Sequence, residues 1–374
     1  MGTMKNIGIT GKSGFIGSYI SNYIRVFGKG AYRITDIKDV YFKDPDRLAR
    51  SVRSCDVILH LAGISRSEHD DIYERNMGLT RSLVDAISQI KTAPHVVFFS
   101  SIHENRKDSY GRSKKDSRLF LARWAKEHGV TFTGLIIPNV FGPFSRPFYN
   151  SAVATFCYQM VNGQEINIEE NRILDLIYVD NLARFVLKIV EEKKHASLAR
   201  VPADKSISVA GLVRQLNVYR SQYLENMVIP RLRRGFDQDL FNTLVSFIPK
   251  EARVVPLEPH KDKRGVLYEC VKTANEGQSF FSTLVSGAVR GNHFHIRKIE
   301  RFCVIDGEAE IGLRKIGSKK IDYYQLNGKQ PAIVDVPIWH THNIVNKSKK
   351  TVTALFWSNE LLNPNDTDTY YEEV

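Results

Sequence analysis

The chain has 374 residues, of which 43% are hydrophobic and 25% are charged. This composition is ordinary for a globular protein and argues against a disordered or fibrous one. Lysine and arginine outnumber aspartate and glutamate by 53 to 41, which gives a formal net charge of +12. Such a surplus suits an anionic partner. The basic residues are scattered rather than gathered in one run, which favours a solvated basic surface or a phosphate-bearing small molecule over a nucleic acid.

Cysteine usage and hydropathy indicate the cellular compartment in which we expect the protein. Four cysteines lie far apart with no CxxC spacing, which argues against a disulfide framework and fits a reducing environment. The first residues lead into a strand-like segment without an apolar signal region, and no run of 18 apolar residues is long enough to span a membrane. We therefore expect a cytoplasmic protein with no membrane partner.

The first 180 residues alternate between short β-rich runs and longer helical patterns. Within residues 114–127, Phe120, Leu121, Trp124 and Ala125 fall on one apolar helical face. Strands separated by helices predict βαβ units and a doubly wound parallel sheet. The predicted strands are residues 6–10, 32–36, 57–61, 95–99 and 132–137.

The pattern changes after about residue 250. From 254 to 357, β-branched and aromatic runs alternate with turns at 262–265, 305–307 and 326–328. This pattern is typical of an all-β sandwich or barrel. Two prolines and a charge cluster within 248–256 predict the boundary, which divides the chain into an α/β domain (1–250) and an all-β domain (251–374).

A glycine-rich turn follows the first predicted strand and opens the first helix. Gly11, Gly14 and Gly17 have GxxGxxG spacing, which lets a pyrophosphate approach backbone N–H groups at a helix N-terminus. Asp36, at the end of the second strand, would bind a ribose 2′-hydroxyl, unless it merely caps a turn. Lys38 would instead neutralise a 2′-phosphate. The pattern predicts dinucleotide binding and leaves NAD and NADP both open.

A serine, a tyrosine and a lysine form the most specific signal of this half. Tyr110 and Lys114 are one helical turn apart and project from the same face, with Ser100 and Ser101 upstream at a strand end. A lysine in that position is expected to lower the pKa of the phenol, so that tyrosine exchanges a proton with a carbonyl or an alcohol near neutral pH. A serine hydroxyl would hydrogen-bond the same substrate oxygen.

This half resembles the extended short-chain dehydrogenase/reductase family of nucleotide-sugar enzymes over about residues 4–245. Ile137 departs from the family, whose members commonly carry arginine there. The resemblance implies that Ser101 orients the substrate oxygen, that Tyr110 is the general acid, and that Lys114 tunes Tyr110 and holds the nicotinamide ribose. The matching blocks are His60-Leu61-Ala62-Gly63, Asn76, Pro138-Asn139-Val140-Phe141-Gly142-Pro143 and Tyr178-Val179-Asp180.

The resemblance also implies the contacts of the cofactor and the substrate. The resemblance places three substrate-binding residues, Asn139, Asn150 and Arg172. Asn150 and Arg172 fit equally well as ordinary polar surface residues. The implied cofactor-binding residues are Gly11, Gly14, Phe15, Ile16, Gly17, Asp36, Lys38, Leu61, Ala62, Gly63, Tyr110, Lys114 and Asn139.

Three histidines and a glutamate in the second half have the spacing of a metal site. His293 and His295 share one face of a strand, Glu300 comes from the next strand segment, and His342 returns from a later one. Imidazole and carboxylate ligands of this kind suit zinc, iron, manganese or nickel. The pattern resembles the cupin superfamily over about residues 256–360. Its second motif departs from that superfamily, and the extra His340 lies beside the expected ligand.

The fusion of these two modules resembles the CapF-like bifunctional enzymes of capsule and O-antigen precursor synthesis. The resemblance implies a UDP-sugar substrate, NADPH with NADH as the alternative, one divalent metal ion (zinc) and a homodimer. The cupin would epimerise C3 of a UDP-4-keto-6-deoxy-N-acetylhexosamine. The reductase would then reduce C4, giving a UDP-N-acetyl-6-deoxytalosamine on the route to N-acetylfucosamine.

Two other functions stay open at this point. One is a 4-epimerase or dehydratase that retains its NAD and carries a non-catalytic cupin. The other is a binding protein that senses the redox state of NAD(P) and a sugar. Consumption of one NADPH per product would exclude the first, and loss of turnover with retained cofactor binding in Tyr110→Phe would separate an enzyme from the second.

Overall fold

The computed structural model describes residues 4–67, 69, 71–90, 93–263, 265–274 and 277–374. The chain divides into two compact units. The first comprises the described residues of Met1–Thr155 and Glu170–Val209, and the second comprises those of Phe156–Glu169 and Ala210–Val374. Among the described residues, no helix combines the length and the apolar character needed to cross a membrane.

The first unit is built on a six-stranded parallel sheet in the order β2-β1-β3-β4-β5-β8. This confirms the predicted doubly wound sheet. A separate three-stranded sheet has the order β6-β7-β9. The strands are β1 (Lys5–Thr10), β2 (Tyr32–Asp36), β3 (Val57–His60), β4 (His95–Ser101), β5 (Phe132–Ile137), β6 (Asn139–Phe141), β7 (Ile173–Tyr178), β8 (Ala196–Arg200) and β9 (Lys205–Ser208).

Helices connect these strands, and two short 3₁₀ turns, Asp39–Lys43 and Ile102–Asn105, follow β2 and β4. The helices are α1 (Phe15–Phe27), α2 (Pro45–Val52), α3 (Ile72–Ile90), α4 (Ser109–Glu127), α5 (Ala152–Val161) and α6 (Val179–Glu192).

The core of the first unit follows from the continuous apolar runs of its strands. All four residues of β3 are buried, as expected for a central parallel strand covered on both faces. Leu121, Trp124 and Ala125 of α4 are buried in the same core, and Phe120 packs partly buried against it. The apolar face predicted for this helix is therefore confirmed. Because the strands are parallel, the turns after β1, β2 and β4 emerge at one edge of the sheet.

The second unit consists mainly of two five-stranded sheets, in the orders β11-β20-β17-β22-β15 and β19-β18-β21-β16-β23. This confirms the predicted all-β architecture. Its strands are β10 (Val228–Ile229), β11 (Val254–Pro256), β12 (His260–Asp262), β13 (Gly265–Leu267), β14 (Lys272–Thr273), β15 (Gln278–Leu284), β16 (Val289–Phe294), β17 (Glu300–Asp306), β18 (Glu308–Lys315), β19 (Ile321–Asn327), β20 (Ala332–Val336), β21 (His340–Val345), β22 (Val352–Ser358) and β23 (Tyr370–Tyr371).

Helical segments from before residue 250 also belong to the second unit. They are the part of α5 from Phe156 onward, α7 (Val209–Tyr219), which begins at the junction, a π-helix (Arg220–Glu225), α8 (Phe236–Ser246) and a 3₁₀ turn (Lys250–Ala252). Of the predicted turns, 305–307 and 326–328 lie at the ends of β17 and β19. In the predicted turn 262–265, Arg264 lies outside the described residues.

Candidate active sites

The glycine turn after β1 has the geometry that close backbone packing requires. Gly11 has a φ of +67°, and a Cβ on it would lie 2.8 Å from the backbone nitrogen of Ala62. A Cβ on Gly17 would lie 2.4 Å from the carbonyl oxygen of Gly11. Gly14 is the N-cap of α1, and no side chain of this residue accepts a hydrogen bond from the N–H groups at the start of the helix. Phe15 and Ile16 lie in the first helical turn. The N-terminus of α1 is therefore open to an anion.

Asp36 ends β2 next to this turn, as predicted, and is exposed. Its Oδ1 lies 3.4 Å from Nζ of Lys12. The following 3₁₀ turn has Lys38 as its N-cap and no side-chain cap, so Asp36 does not serve as that cap. Lys12, Asp36 and Lys38 line a cleft of about 310 Å³. Asp39 also lines the cleft, so two lysines face two carboxylates there.

The three predicted reductase residues meet beyond the end of β4. Ser101 is the last residue of β4, and Tyr110 and Lys114 lie on the first turns of α4. Tyr110 and Ser101 are hydrogen-bonded through their side chains. Nζ of Lys114 donates to the carbonyl oxygen of Phe99 at 3.0 Å and lies 5.1 Å from the ring centre of Phe98.

The electrostatics of the pair differ from the sequence expectation. Burial raises the pKa of Tyr110, and the hydrogen bond from Ser101 only partly opposes it. Burial lowers the pKa of Lys114 to about 8. The net direction is opposite to the predicted lowering because burial of the phenol is the largest effect, while the ammonium group of Lys114 donates to the Phe99 carbonyl. A protonated phenol is nevertheless the form that donates a proton to a ketone.

The Leu61-Ala62-Gly63 block lies against the same centre. The backbone N–H groups of Leu61 and Ala62 donate to Oγ1 of Thr10 at 3.2 and 3.1 Å. A Cβ on Gly63 would lie 3.4 Å from Nζ of Lys114. The predicted cofactor segment therefore borders Lys114.

Asn139 lines another side of the reductase centre. Its Oδ1 is 3.2 Å from Nε2 of His103, and its Nδ2 donates to the carbonyl oxygen of Asp175 at 3.1 Å. Burial lowers the pKa of His103, with Arg172 among the cations that add to this effect. The sequence reasoning missed His103, although its position between Ser101 and Tyr110 was an available signal.

The other two predicted substrate residues lie on exposed segments. Oδ1 of Asn150 accepts from Oγ of Ser65 at 2.7 Å. Arg172 is 4.0 Å from a carboxylate oxygen of Glu170, and its side chain is 54% exposed. Arg172 contributes electrostatically to the lowered pKa of His103.

The predicted metal residues of the second unit are brought together. His293, His295, Glu300 and His342 each offer one ligand atom, and these atoms lie within 4.8 Å of one another. His293 on β16 is paired in register with His342 on β21. Glu300 begins β17 in the other five-stranded sheet. A bulge at Gly291 redirects β16 just before the histidines, and its φ of +105° requires glycine.

The chemistry of this cluster fits a divalent cation. Nε2 of His295 and Nε2 of His342 lie 3.2 and 3.0 Å from Oε2 of Glu300. Both nitrogens are buried, and in the described part of the chain neither has a hydrogen-bond partner of standard geometry. Two buried nitrogens directed at one carboxylate oxygen, with a third imidazole beside them, form a donor set suited to a borderline metal ion.

Protonation differs between the candidate ligands: burial opposes protonation of His295, but Glu300 outweighs it and raises the pKa of that imidazole. Burial, followed by the two neighbouring histidines, lowers the pKa of His293 to about 4, so this imidazole is neutral at pH 7. Burial opposes ionisation of Glu300, but His295 and His342 outweigh it and hold the pKa of that carboxyl well below its usual range. His340 lies outside the four-residue cluster, and its Nδ1 is 3.0 Å from the carbonyl oxygen of Ile338.

Comparisons with known proteins match two parts of the chain to different families. The "NAD dependent epimerase/dehydratase family" matches residues 7–200, and the "Polysaccharide biosynthesis C-terminal domain" matches residues 260–370. The chain is 32% identical over 366 residues to UDP-2-acetamido-2,6-beta-L-arabino-hexul-4-ose reductase of Pseudomonas aeruginosa, and the alignment covers 97% of each chain. The chain belongs to the CapF-like family. It is a nucleotide-sugar enzyme of the epimerase/reductase class with an NAD(P)-binding fold in its first unit.

Solved structures support the CapF-like assignment. The crystal structure of capsular polysaccharide assembling protein CapF from Staphylococcus aureus has a TM-score of 0.63 and 30% identity. That match covers 99% of this chain and 100% of the other. UDP-glucose 4-epimerase from Thermus thermophilus, solved with NAD, matches 66% of this chain and 99% of its own with a TM-score of 0.55. At 16% identity, the second match supports the fold alone.

Proposed function

We propose that this CapF-like protein catalyses two consecutive reactions on one nucleotide sugar. The second unit epimerises C3 of a UDP-4-keto-6-deoxy-N-acetylhexosamine, and the first reduces its C4 ketone with NADPH to a UDP-N-acetyl-6-deoxytalosamine. The observation that carries the proposal is that the protein has two chemically different centres. A proton-donor set lies in one unit, and a metal-ligand set lies in the other.

In the reductase centre, Tyr110 supplies the proton. Bound NADPH would supply the hydride that adds to C4. Tyr110 is protonated at neutral pH because its pKa is raised, and it donates its phenolic proton to the ketone oxygen as the C4–H bond forms. Ser101 hydrogen-bonds the same oxygen, and the ammonium group of Lys114 stabilises the resulting phenolate until solvent returns the proton.

NADPH is the proposed cofactor because of the charges beside the glycine turn. The carboxylate of Asp36 is paired with Lys12, and Lys38 adds a second cation to the cleft. Asp39 also lines this cleft, so its formal charge is balanced, and Lys38 is the cation proposed to meet a 2′-phosphate. A tenfold better kcat/KM with NADH would contradict this choice.

In the second unit, the four-residue cluster would hold one divalent ion, which we propose to be zinc. His293, His295 and His342 would supply nitrogen ligands and Glu300 an oxygen ligand. Such an ion would act as a Lewis acid toward the 4-ketone, whose enolate forms when solvent water takes the C3 proton; return of a proton from water to the opposite face of C3 completes the epimerisation. Metal analysis showing no bound ion in the purified protein would contradict this assignment.

The remaining contacts are proposals of the same kind. Asn139 and Arg172, near His103, are proposed to bind the UDP-sugar, and Asn150 is proposed as a further contact on an exposed segment. The name of the P. aeruginosa relative, a reductase of a UDP-linked hexul-4-ose, supports this substrate class. A homodimer is also proposed, and β15 offers an open edge with Phe281 72% exposed.

The test separates the two reactions in the intact protein. Tyr110→Phe is incubated with UDP-4-keto-6-deoxy-N-acetylglucosamine in D₂O, and NADPH oxidation and C3 deuteration are followed separately. Reduction should fall by roughly 10²–10⁴-fold, the scale for loss of a general acid, while deuterium still enters C3. If Tyr110→Phe also blocks exchange, the division of labour is wrong.

Two controls complete this experiment. His293→Ala combined with His295→Ala should show the opposite behaviour, with cofactor binding retained and exchange lost. Oxidation of one NADPH per product in the unmodified protein excludes the alternative of an epimerase or dehydratase that retains its NAD. A product whose C3 configuration equals that of the substrate would refute the epimerase step.

A further inference from the structure

The end of the chain returns to the metal-ligand cluster. Strand β23 pairs with β16 at His293 and Phe294. Just before this strand, Asp368 is only 2% exposed and has a φ of +48°. A buried aspartate in the left-handed region, next to a cluster of candidate ligands, is unusual enough to need an explanation.

The backbone carbonyl of Asp368 holds one candidate ligand directly. Its oxygen is 2.5 Å from Nδ1 of His295. A carbonyl oxygen only accepts hydrogen bonds, so Nδ1 of His295 must carry the proton. In the neutral imidazole, the form that binds a metal ion, the lone pair is then on Nε2, the nitrogen that lies 3.2 Å from Glu300. Asp368 thereby selects the tautomer in which His295 can bind a metal ion.

The carboxylate of Asp368 holds the segment that joins two of the ligands. It accepts hydrogen bonds from three consecutive backbone N–H groups, those of Ile296 at 3.3 Å, Arg297 at 2.9 Å and Lys298 at 2.9 Å. These residues lie between His295 and Glu300. One residue therefore fixes both the orientation of an imidazole and the path of the chain to the next ligand.

We propose that Asp368 is a positioning residue of the metal centre, and that the C-terminal segment 368–372 is part of that centre. The inference rests on the proposed function, because it requires the cluster to bind a metal ion. Asp368 does not touch the ion. It acts through His295 and through the loop 296–298, so its loss should weaken metal binding without removing a ligand.

The experiment measures metal affinity rather than activity. Zn²⁺ binding to full-length protein is measured by competition with a chelating indicator, and the absorption spectrum of the Co²⁺ form reports the ligand geometry. Loss of an outer contact of this kind typically weakens metal binding by about 10–100-fold. We expect that loss and an altered Co²⁺ spectrum for Asp368→Ala. Asparagine keeps an acceptor oxygen and tolerates a positive φ. The Zn²⁺ affinity of Asp368→Asn should therefore lie between that of Asp368→Ala and that of the unmodified protein.

A neighbouring acidic residue provides the matched control. Asp366 forms an exposed ion pair with the guanidinium group of Arg297 at 3.1 Å, and no hydrogen bond from it to the backbone of the ligand loop occurs among the described residues. Asp366→Ala should bind Zn²⁺ within about twofold of the unmodified protein, because only an exposed ion pair is lost.

The outcomes distinguish the inference from the proposed function. If the unmodified protein binds neither Zn²⁺ nor Co²⁺, the proposed metal centre is wrong. If it binds and Asp368→Ala binds equally well, only the role of Asp368 is wrong. A purely structural role would lower the thermal midpoint equally with and without metal, whereas the proposed role reduces the increase that metal produces. If Asp368→Ala does not fold, the same comparison with Asp368→Asn decides.

Discussion

Replacing Arg118 with methionine tests the buried ion pair that supports the reductase centre. Nε and Nη2 of Arg118 donate to the two carboxylate oxygens of Glu104 at 2.9 and 2.7 Å, and both side chains are 7% exposed. Glu104 also accepts from Oγ of Ser100 at 2.7 Å. It therefore fastens the 3₁₀ turn after Ser101 to α4.

The expected cost follows from the charge that the substitution leaves behind. Breaking a buried pair by removing one partner costs about 3–5 kcal/mol, because the other charge stays buried without compensation. Arg118→Met should lower the opening free energy of α4 by that amount at pH 7. The double variant Glu104→Met with Arg118→Met should lose less, since neither charge remains.

The dependence on pH gives an independent check. In the unmodified protein, burial opposes ionisation of Glu104, but Arg118 and Ser100 outweigh it and hold its pKa below the usual value. The pair therefore stabilises the fold at pH values above the unfolded carboxyl pKa of about 4.3, and the benefit is lost as the pH falls through the folded pKa. In Arg118→Met, burial alone raises the pKa of Glu104, so the penalty should shrink as the pH falls from 7 toward about 5.

Native-state hydrogen exchange of peptides covering α4 measures the opening free energy locally, which suits a chain with two units. A loss below about 1 kcal/mol for Arg118→Met at pH 7, the value of an exposed pair, would refute the reasoning. An equal loss of opening free energy at pH 7 and pH 5 would refute it as well.

Two further predictions concern the cofactor site. The pKa of about 8 for Lys114 implies that kcat/KM for NADPH falls above pH 8 as the ammonium group loses its proton. Lys114→Arg keeps its charge and should remove this decrease. A flat pH profile of the unmodified protein from pH 6.5 to 9.5 would contradict the prediction. Gly17→Ala should destabilise the cofactor-free protein by about 1–3 kcal/mol, because its Cβ would lie 2.4 Å from the Gly11 carbonyl oxygen. Gly14→Ala, with a Cβ 3.3 Å from the same oxygen, should have a much smaller effect, and equal shifts in thermal midpoint would contradict the steric argument.

The sequence predicted the parts of both sites that have a local signature. The glycine turn, the Tyr110–Lys114 spacing and the histidine pair on one strand each depend on a short period or turn, and the structure brings these residues together as expected. The pKa of Tyr110 was mispredicted because burial depends on the packing of distant segments. The spacing of Tyr110 and Lys114 alone contains no information about how deeply the phenol is buried.

Asp368 illustrates a contact that no motif encodes. It lies 73 residues after His295, and one of its contributions comes from a backbone carbonyl, which every residue has. Only the returning C-terminal strand makes it a neighbour of the ligand loop. A similar reason explains why the pairing of Arg118 with Glu104 was not anticipated, since both were merely charged residues in the sequence.

The helices before residue 250 depend on groups that follow it. Nδ2 of Asn242 and Nε2 of Gln238, both on α8, donate to the carbonyl oxygen of Arg297 at 3.1 Å. The hydroxyl group of Tyr223 donates to Asp335 in β20. These contacts lie within the second unit, which begins at Ala210 for this part of the chain, whereas prolines and charges in the sequence predicted a boundary near 250.

The two boundaries make different predictions for fragments of the protein. A fragment of residues 251–374 lacks the donors that α8 directs at Arg297 and the hydroxyl group that reaches Asp335, so water must replace these hydrogen bonds, each of which contributes about 0.5–1.5 kcal/mol. A fragment of residues 210–374 keeps them. It should therefore unfold at a higher temperature and bind Zn²⁺ more tightly, as measured by circular dichroism and by indicator competition. Equal midpoints for the two fragments would show that the helices add nothing to the stability of the β-sheets, and the boundary near 250 would then be the physical one.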